Sequence, residues 1–504
     1  MTNWTEIPVG AWTPDQPDLD NPGCAVAFNV VPRTLKSYGP AQSFGAYADA
    51  LTARCQGAFT FADSNGAGTT VAGDATKLYR VVSGSLTPDN ASRLSGGDYA
   101  TPGDGQWRFC ISNGLAIATN FTDAVQQLAI EGGTDFALLD SAAPNARYCA
   151  DVKGFLMLGN TNDGTDGPVP YRVWWSALND PTDWPTPGSS AAAAVQSDYN
   201  DMPGNGGWVQ GLAGNLGSAD VGVFMERAVW RGVYVGPPAV FNFFPAVDTE
   251  GCIAPNSIVQ LDNFAYYLGE RGFQRFDGAV SQPISDQRLS KTFFNDWDAS
   301  YPDRIWGAVD PANRFVFWAY PRTGSGGLCT RLLCYAPLID RWSLIECSVE
   351  TICRTLSYGY TLEGLDSLGY TLETLPYSLD SRVWTGNQML LSGFNSSHQL
   401  GYFNGSTLAA SVETTEKQVG KGRRMMVRNA RPMVDGGNPT VAVATRERLV
   451  DAPSWSSESS MNATGLCPLR KSGRYARGRI SMPAGDSWTH MQGVEVDLEP
   501  LGER

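Results

Sequence analysis

Histidine is almost missing from this 504-residue chain, which has only His398 and His490. With two so far apart in sequence, a histidine-based triad and a Cys/His zinc site lose their usual members. Ten cysteines occur, at Cys24, Cys55, Cys110, Cys149, Cys252, Cys329, Cys334, Cys347, Cys353 and Cys467, and none makes a CxxC pair. They read as small buried apolar residues of a protein made in a reducing cytosol. No stretch approaches ~20 apolar residues, so no membrane span is expected. Met1 to Gly10 is polar and lacks the apolar centre of a signal peptide. Charge is scarce as well, at 17%. Helix-rich proteins carry many Lys, Glu and Arg on their solvent faces. Their scarcity, beside 55 glycines and 31 prolines, favours short strands joined by many turns.

What is present points the same way. Hydrophobic residues make up 42% and aromatics 11%, the composition of a folded protein. The formal net charge is −14. Proteins that grip nucleic acid do so largely by neutralising phosphates with Lys and Arg, so an acidic total argues against wrapping DNA. It is compatible with a wall that repels DNA as it passes.

Residues 1–45 show no helical periodicity. Trp12-Thr13-Pro14-Asp15-Gln16-Pro17 and Asn21-Pro22-Gly23 are extended or turn-forming, and Asn29-Val30-Val31-Pro32-Arg33 closes the segment. Such a stretch buries no core alone and is expected to run along another surface, of its own chain or a neighbour. From Phe59 apolar runs of four to eight residues alternate with Gly, Asn and Asp, as in Trp107 to Thr119 around Asn113-Gly114. Asn-Gly and Asp-Gly turns suit the twist of antiparallel hairpins. Hairpins recur every ~40 to 50 residues, the spacing of propeller blades. The expectation is an all-β chain: a propeller-like body over 46–412, with a small β-domain over 413–504. Gly359-Tyr360-Thr361-Leu362-Glu363 recurs at Gly369-Tyr370-Thr371-Leu372-Glu373 and reads as an extended or hairpin insertion.

Enzymatic constellations are few. Gly68 and Gly73 have P-loop spacing, but Asp74-Ala75 follows where Lys and Ser or Thr are needed. Paired carboxylates are the strongest catalytic option, with Asp180 and Asp183, Asp296 and Asp298, or Glu226 and Glu270 as candidates. Each reads more simply as a turn cap or a solvated hairpin bend. Asp163-Gly164-Thr165-Asp166-Gly167 has some calcium-loop character but lacks the remaining ligands. No catalytic residue, metal or cofactor is expected. The densest basic cluster holds Lys421, Arg423, Arg424 and Arg428, with Arg470 to Arg479 as a second. It suits DNA phosphate, an acidic neighbouring subunit, or the acidic body of the chain itself.

Several motifs, in order, resemble the tail-nozzle and packaged-DNA-stabilisation proteins of short-tailed bacteriophages. They are Trp12 to Leu19 with Asn29 to Arg33, Trp175 to Trp184, Val223 to Trp230, and Arg474 to Arg479. The resemblance implies a structural virion protein of the phage tail, made in the host cytoplasm. It implies a homohexameric ring below the portal and adaptor that closes the DNA exit channel and conducts genomic DNA at ejection. Implied partners are the adaptor and the tail fibre or spike proteins. Trp12, Pro14, Asp15, Pro17, Asn29 and Pro32 would then be the docking face for a subunit or the adaptor. The competing expectation is a tail-associated glycan depolymerase.

Overall fold

The computed structural model describes residues 3–82, 87–93, 97–357, 377–384, 388–418 and 423–501. The Gly359–Glu373 repeat and Lys421 lie outside them. Within these residues strands dominate, and the two α-helices, Ser190–Val195 and Ser290–Asp296, are short.

The hairpins form where the turn residues demand them. Asn113 and Gly114 both take positive φ, at 45° and 78°, and join Arg108–Ser112 to Leu115–Thr119 with Ser112 opposite Leu115. Lys153 and Gly154 do the same between Asn145–Val152 and Phe155–Asp163. In Asn145–Val152 the even-numbered residues are buried and the odd-numbered half-exposed, as period-2 alternation requires.

Five meanders of four strands follow one another. Blade 1 is Ala58–Ala62, Gly68–Gly73, Leu78–Val82 and Asp89–Asn90. Blade 2 runs from Arg108 to Leu138, blade 3 from Asn145 to Asp201, blade 4 from Val209 to Val247, and blade 5 from Val259 to Pro283. Blade 6 contains Trp306–Asp310, Phe315–Pro321, Cys329–Ala336 and the first part of Arg341–Leu356. That last strand is irregular between Arg331 and Cys329 of its partner, and its second part then opens blade 7 against Met389–Asn395. Gln399–Tyr402 is the third strand of blade 7. Its fourth comes from the other end of the chain: Gly45–Ala50 pairs with it, Gly45 opposite Tyr402.

Each blade packs on the next through its own apolar layer. Trp107 and Phe61 lie between blades 1 and 2, Trp174 and Leu156 between 2 and 3, Trp175 and Phe241 between 3 and 4. Phe224 and Tyr267 join blades 4 and 5, Phe273 and Trp318 join 5 and 6, Phe317 and Ile352 join 6 and 7. Tyr47, Tyr79, Phe394 and Tyr402 join blade 7 back to blade 1. Among the described residues no sheet closes on itself, and the circle is completed by these layers and the N-terminal strand. The fold is all-β with propeller-like blades.

The remaining strands stack as two sheets. One holds Val30–Thr34, Ser37–Pro40, Trp488–Pro500, Met425–Gly436 and Cys467–Gly473, with Asn3–Pro8 alongside Trp488–Pro500. The other holds Cys24–Phe28, Ala410–Thr414, Tyr475–Met482 and Thr440–Arg446, and is continuous with blade 6 where Phe28 pairs in parallel with Leu344. Val412, Val443, Ile480, Val494 and Val496 belong to one core with Phe273, Trp318 and Trp342 of blades 5 and 6. The N-terminal segment is thus built into the C-terminal unit.

Candidate functional site

The N-terminal residues expected to dock a partner are largely engaged inside the chain. Trp12 is 5% exposed, with its indole N–H donating to the Ala25 carbonyl at 3.2 Å. Asn29, in a left-handed conformation, donates to Glu346 Oε1 at 3.0 Å and the Ala409 carbonyl at 2.8 Å. Pro32 is buried opposite Tyr38. Trp12, Asn29 and Pro32 are thus buried within their own chain, so the segment that carries them runs along its own chain's surface. Pro14 is half-buried and Pro17 exposed. Asp15 has an internal task. The helix Ser290–Asp296 has no side-chain cap of its own, and Asp15 accepts from the Lys291 and Thr292 backbone N–H groups at 2.7 and 2.9 Å.

Three of the candidate catalytic carboxylates, Asp180, Asp296 and Asp298, are engaged by their own chain. Asp180 Oδ1 accepts from Thr182 N and Oγ1 at 2.9 and 2.7 Å, an Asx turn at the surface. Asp296 meets Arg322 at 2.7 Å and Arg331 at 3.8 Å, and accepts from the Tyr320 hydroxyl at 3.1 Å. Asp298 caps the Ser300 N–H. Glu226 and Glu270 stand at hairpin bends in blades 4 and 5. The calcium-like turn is occupied by the chain's own cation: Arg172 pairs with Asp201 at 2.7 Å, Asp166 at 2.6 Å and Asp163 at 3.4 Å. The bond to Asp201, reinforced by the one to Asp166, holds the Arg172 guanidinium well above its ordinary range.

The basic C-terminal cluster is matched by carboxylates across the sandwich. Arg424 pairs with Glu447 at 2.7 Å, Arg428 with Glu499, and Arg431 with Glu495 at 3.0 Å. Arg477 meets Asp18 at 3.5 Å, and Arg479 meets Glu413 at 2.6 Å while lying over the Trp455 ring. Arg423 is also engaged. Deeper in, Arg446 grips Glu416, which is 1% exposed, through its Nε at 2.8 and 2.9 Å to the two oxygens. Of the three readings of this cluster, the pairing favours the acidic body of the chain itself.

Two hollows remain. A groove of about 840 Å³ runs between blades 6 and 7 and the chain entering the propeller, with Arg33, Phe44, Asp310, Phe315, Asp380 and Phe403 in its walls. A smaller one, about 250 Å³, is walled by residues of blades 1, 2, 5, 6 and 7 at their first strands. Arg108 and Arg354 line it. Neither stood out in the sequence, because each is a lone arginine at or within an apolar strand. Among the described residues no group of three or more His, Cys, Asp and Glu side chains is placed to hold a metal ion. No helix there is long and apolar enough to cross a membrane.

No family model matches the chain, and no curated protein matches it in sequence. Among solved structures, it is similar to a computationally designed protein studied by crystallography, at 8% identity and a TM-score of 0.35 over 73% of this chain and 100% of that one. A likeness so weak carries no argument. The resemblance to tail-nozzle proteins therefore rests on the ordered motifs alone.

Proposed function

We propose that this chain is a structural subunit of a bacteriophage tail, of the nozzle or DNA-stabilising kind, and acts without catalysis. In this reading copies assemble as a ring, six by the family resemblance, against the adaptor. The ring then closes the exit channel and conducts DNA at ejection.

The observation that carries it is electrostatic. Arg424, Arg428, Arg431 and Arg479, in the two basic clusters of the C-terminal part, are neutralised by Glu447, Glu499, Glu495 and Glu413 of the same chain. With a net charge of −14, the outer surface is then left acidic, as suits a conduit that must not retain DNA. Exposed apolar side chains at hairpin tips, Leu35 and Leu338 at 70% and 72%, offer anchors for permanent subunit contacts. Asp180 and Asp298, bound in Asx turns, and Asp296, bound by two arginines, favour no depolymerase.

Co-sedimentation with a portal–adaptor complex tests the reading. The expected result is migration with the complex in a fixed ratio, and no retention on duplex DNA at physiological salt. Release of reducing sugar ends from host glycan, lost in Asp296→Asn or Asp180→Asn, would overturn it.

A further inference from the structure

Arg108 and Arg354 both line the smaller hollow, and no Asp or Glu side chain stands among its walls. Arg108 donates to the amide oxygen of Asn256, a neutral acceptor whose own Nδ2 is fixed by the Asp303 carbonyl. Its guanidinium lies 5.5 Å from the centre of the Tyr148 ring, and its Nε–H is buried without an acceptor. Arg354, exposed on the first strand of blade 7, has no side-chain hydrogen bond or ion pair among the described residues. Burial lowers the pKa of Arg108, which is half-buried. The indole N–H of Trp306, another residue lining the hollow, is also buried and unsatisfied.

Two guanidinium groups on one hollow with no carboxylate among its walls leave a positive potential that an anion would relieve. Each guanidinium offers five N–H donors in a planar fork that matches carboxylate and phosphate oxygens. Phe59, Trp107 and Trp306 form apolar walls that would strengthen such bonds by excluding water. We propose that this hollow is a binding site for a small oxyanion, a molecule bearing a phosphate or carboxylate group, held by Arg108 and Arg354. At about 250 Å³ it is too small for duplex DNA, whose major groove alone is about 12 Å wide. The site stands independently of the tail reading.

Calorimetric titration of the full chain with inorganic phosphate and with citrate, at constant ionic strength set by chloride, tests this. Saturable binding of at least one probe is expected, with an unfolding midpoint that rises with its concentration. Arg354→Gln and Arg108→Gln should each weaken that binding tenfold or more, while Arg431→Gln leaves it unchanged. If Arg108→Gln does not fold, Arg354→Gln decides. No saturable binding of either probe, or equal affinity in Arg354→Gln, would overturn the proposal. So would binding of a single-stranded oligonucleotide that free phosphate and citrate fail to displace.

Discussion

At the scale of single residues, charge pairing decides which arginines matter. Arg446 and Glu416 form the most deeply buried pair of the sandwich, and the bond to Glu416 raises the arginine's pKa. Arg446→Ala would leave that carboxylate buried and uncompensated, an expected loss of about 3–5 kcal/mol in a denaturant titration. Arg448→Ala, which breaks the exposed pair with Asp451, should leave the midpoint unmoved. Asp15→Ala removes the borrowed helix cap, at an expected cost of about 0.5–2 kcal/mol. Burial also sets a pH limit. It raises Cys24 and Cys252 from an ordinary 9.0 to about 12, and Cys353 and Cys467 to about 11. The unfolded chain releases these protons above pH 9 while the native state holds them. Stability from these groups is therefore full below pH 9 and falls as pH rises from 9 towards 12. Denaturation midpoints at pH 7 and pH 10 check the sign, and an unchanged midpoint would contradict it. The basic residues were visible in the sequence, whereas their carboxylates were not, because Arg431 and Glu495 meet only through pairing of distant strands.

At the scale of elements, local chemistry was legible and long-range pairing was not. Asn113-Gly114 declares its hairpin, and Glu226-Arg227 and Glu270-Arg271 fall at bends as their charge suggests. Nothing in Gly45–Ala50 announces that it completes a sheet with Gln399–Tyr402, since its small residues carry no clear alternation and the partner lies about 350 residues on. The same holds for Asn3–Pro8 beside Trp488–Pro500. Closure leaves a test at Gly401, where a Cβ would overlap the Gly45 carbonyl oxygen. Gly401→Val should part these strands and cost about 1–3 kcal/mol. Faster proteolytic cleavage should then appear within 40–55, and a wild-type cleavage pattern would argue against closure at this strand.

At the scale of the whole molecule, one core joins the sandwich to blades 5 and 6, and both ends of the chain meet in the same two sheets. The acidic balance was read directly from composition, and it limits partners more firmly than any motif does. Acidity and internal pairing are what support the proposal of a building block whose copies close a passage for DNA. Imaging the purified chain by negative stain, alone and with its portal–adaptor complex, tests this most directly. A closed ring capping the adaptor is the predicted result, and a monomer under both conditions would contradict it.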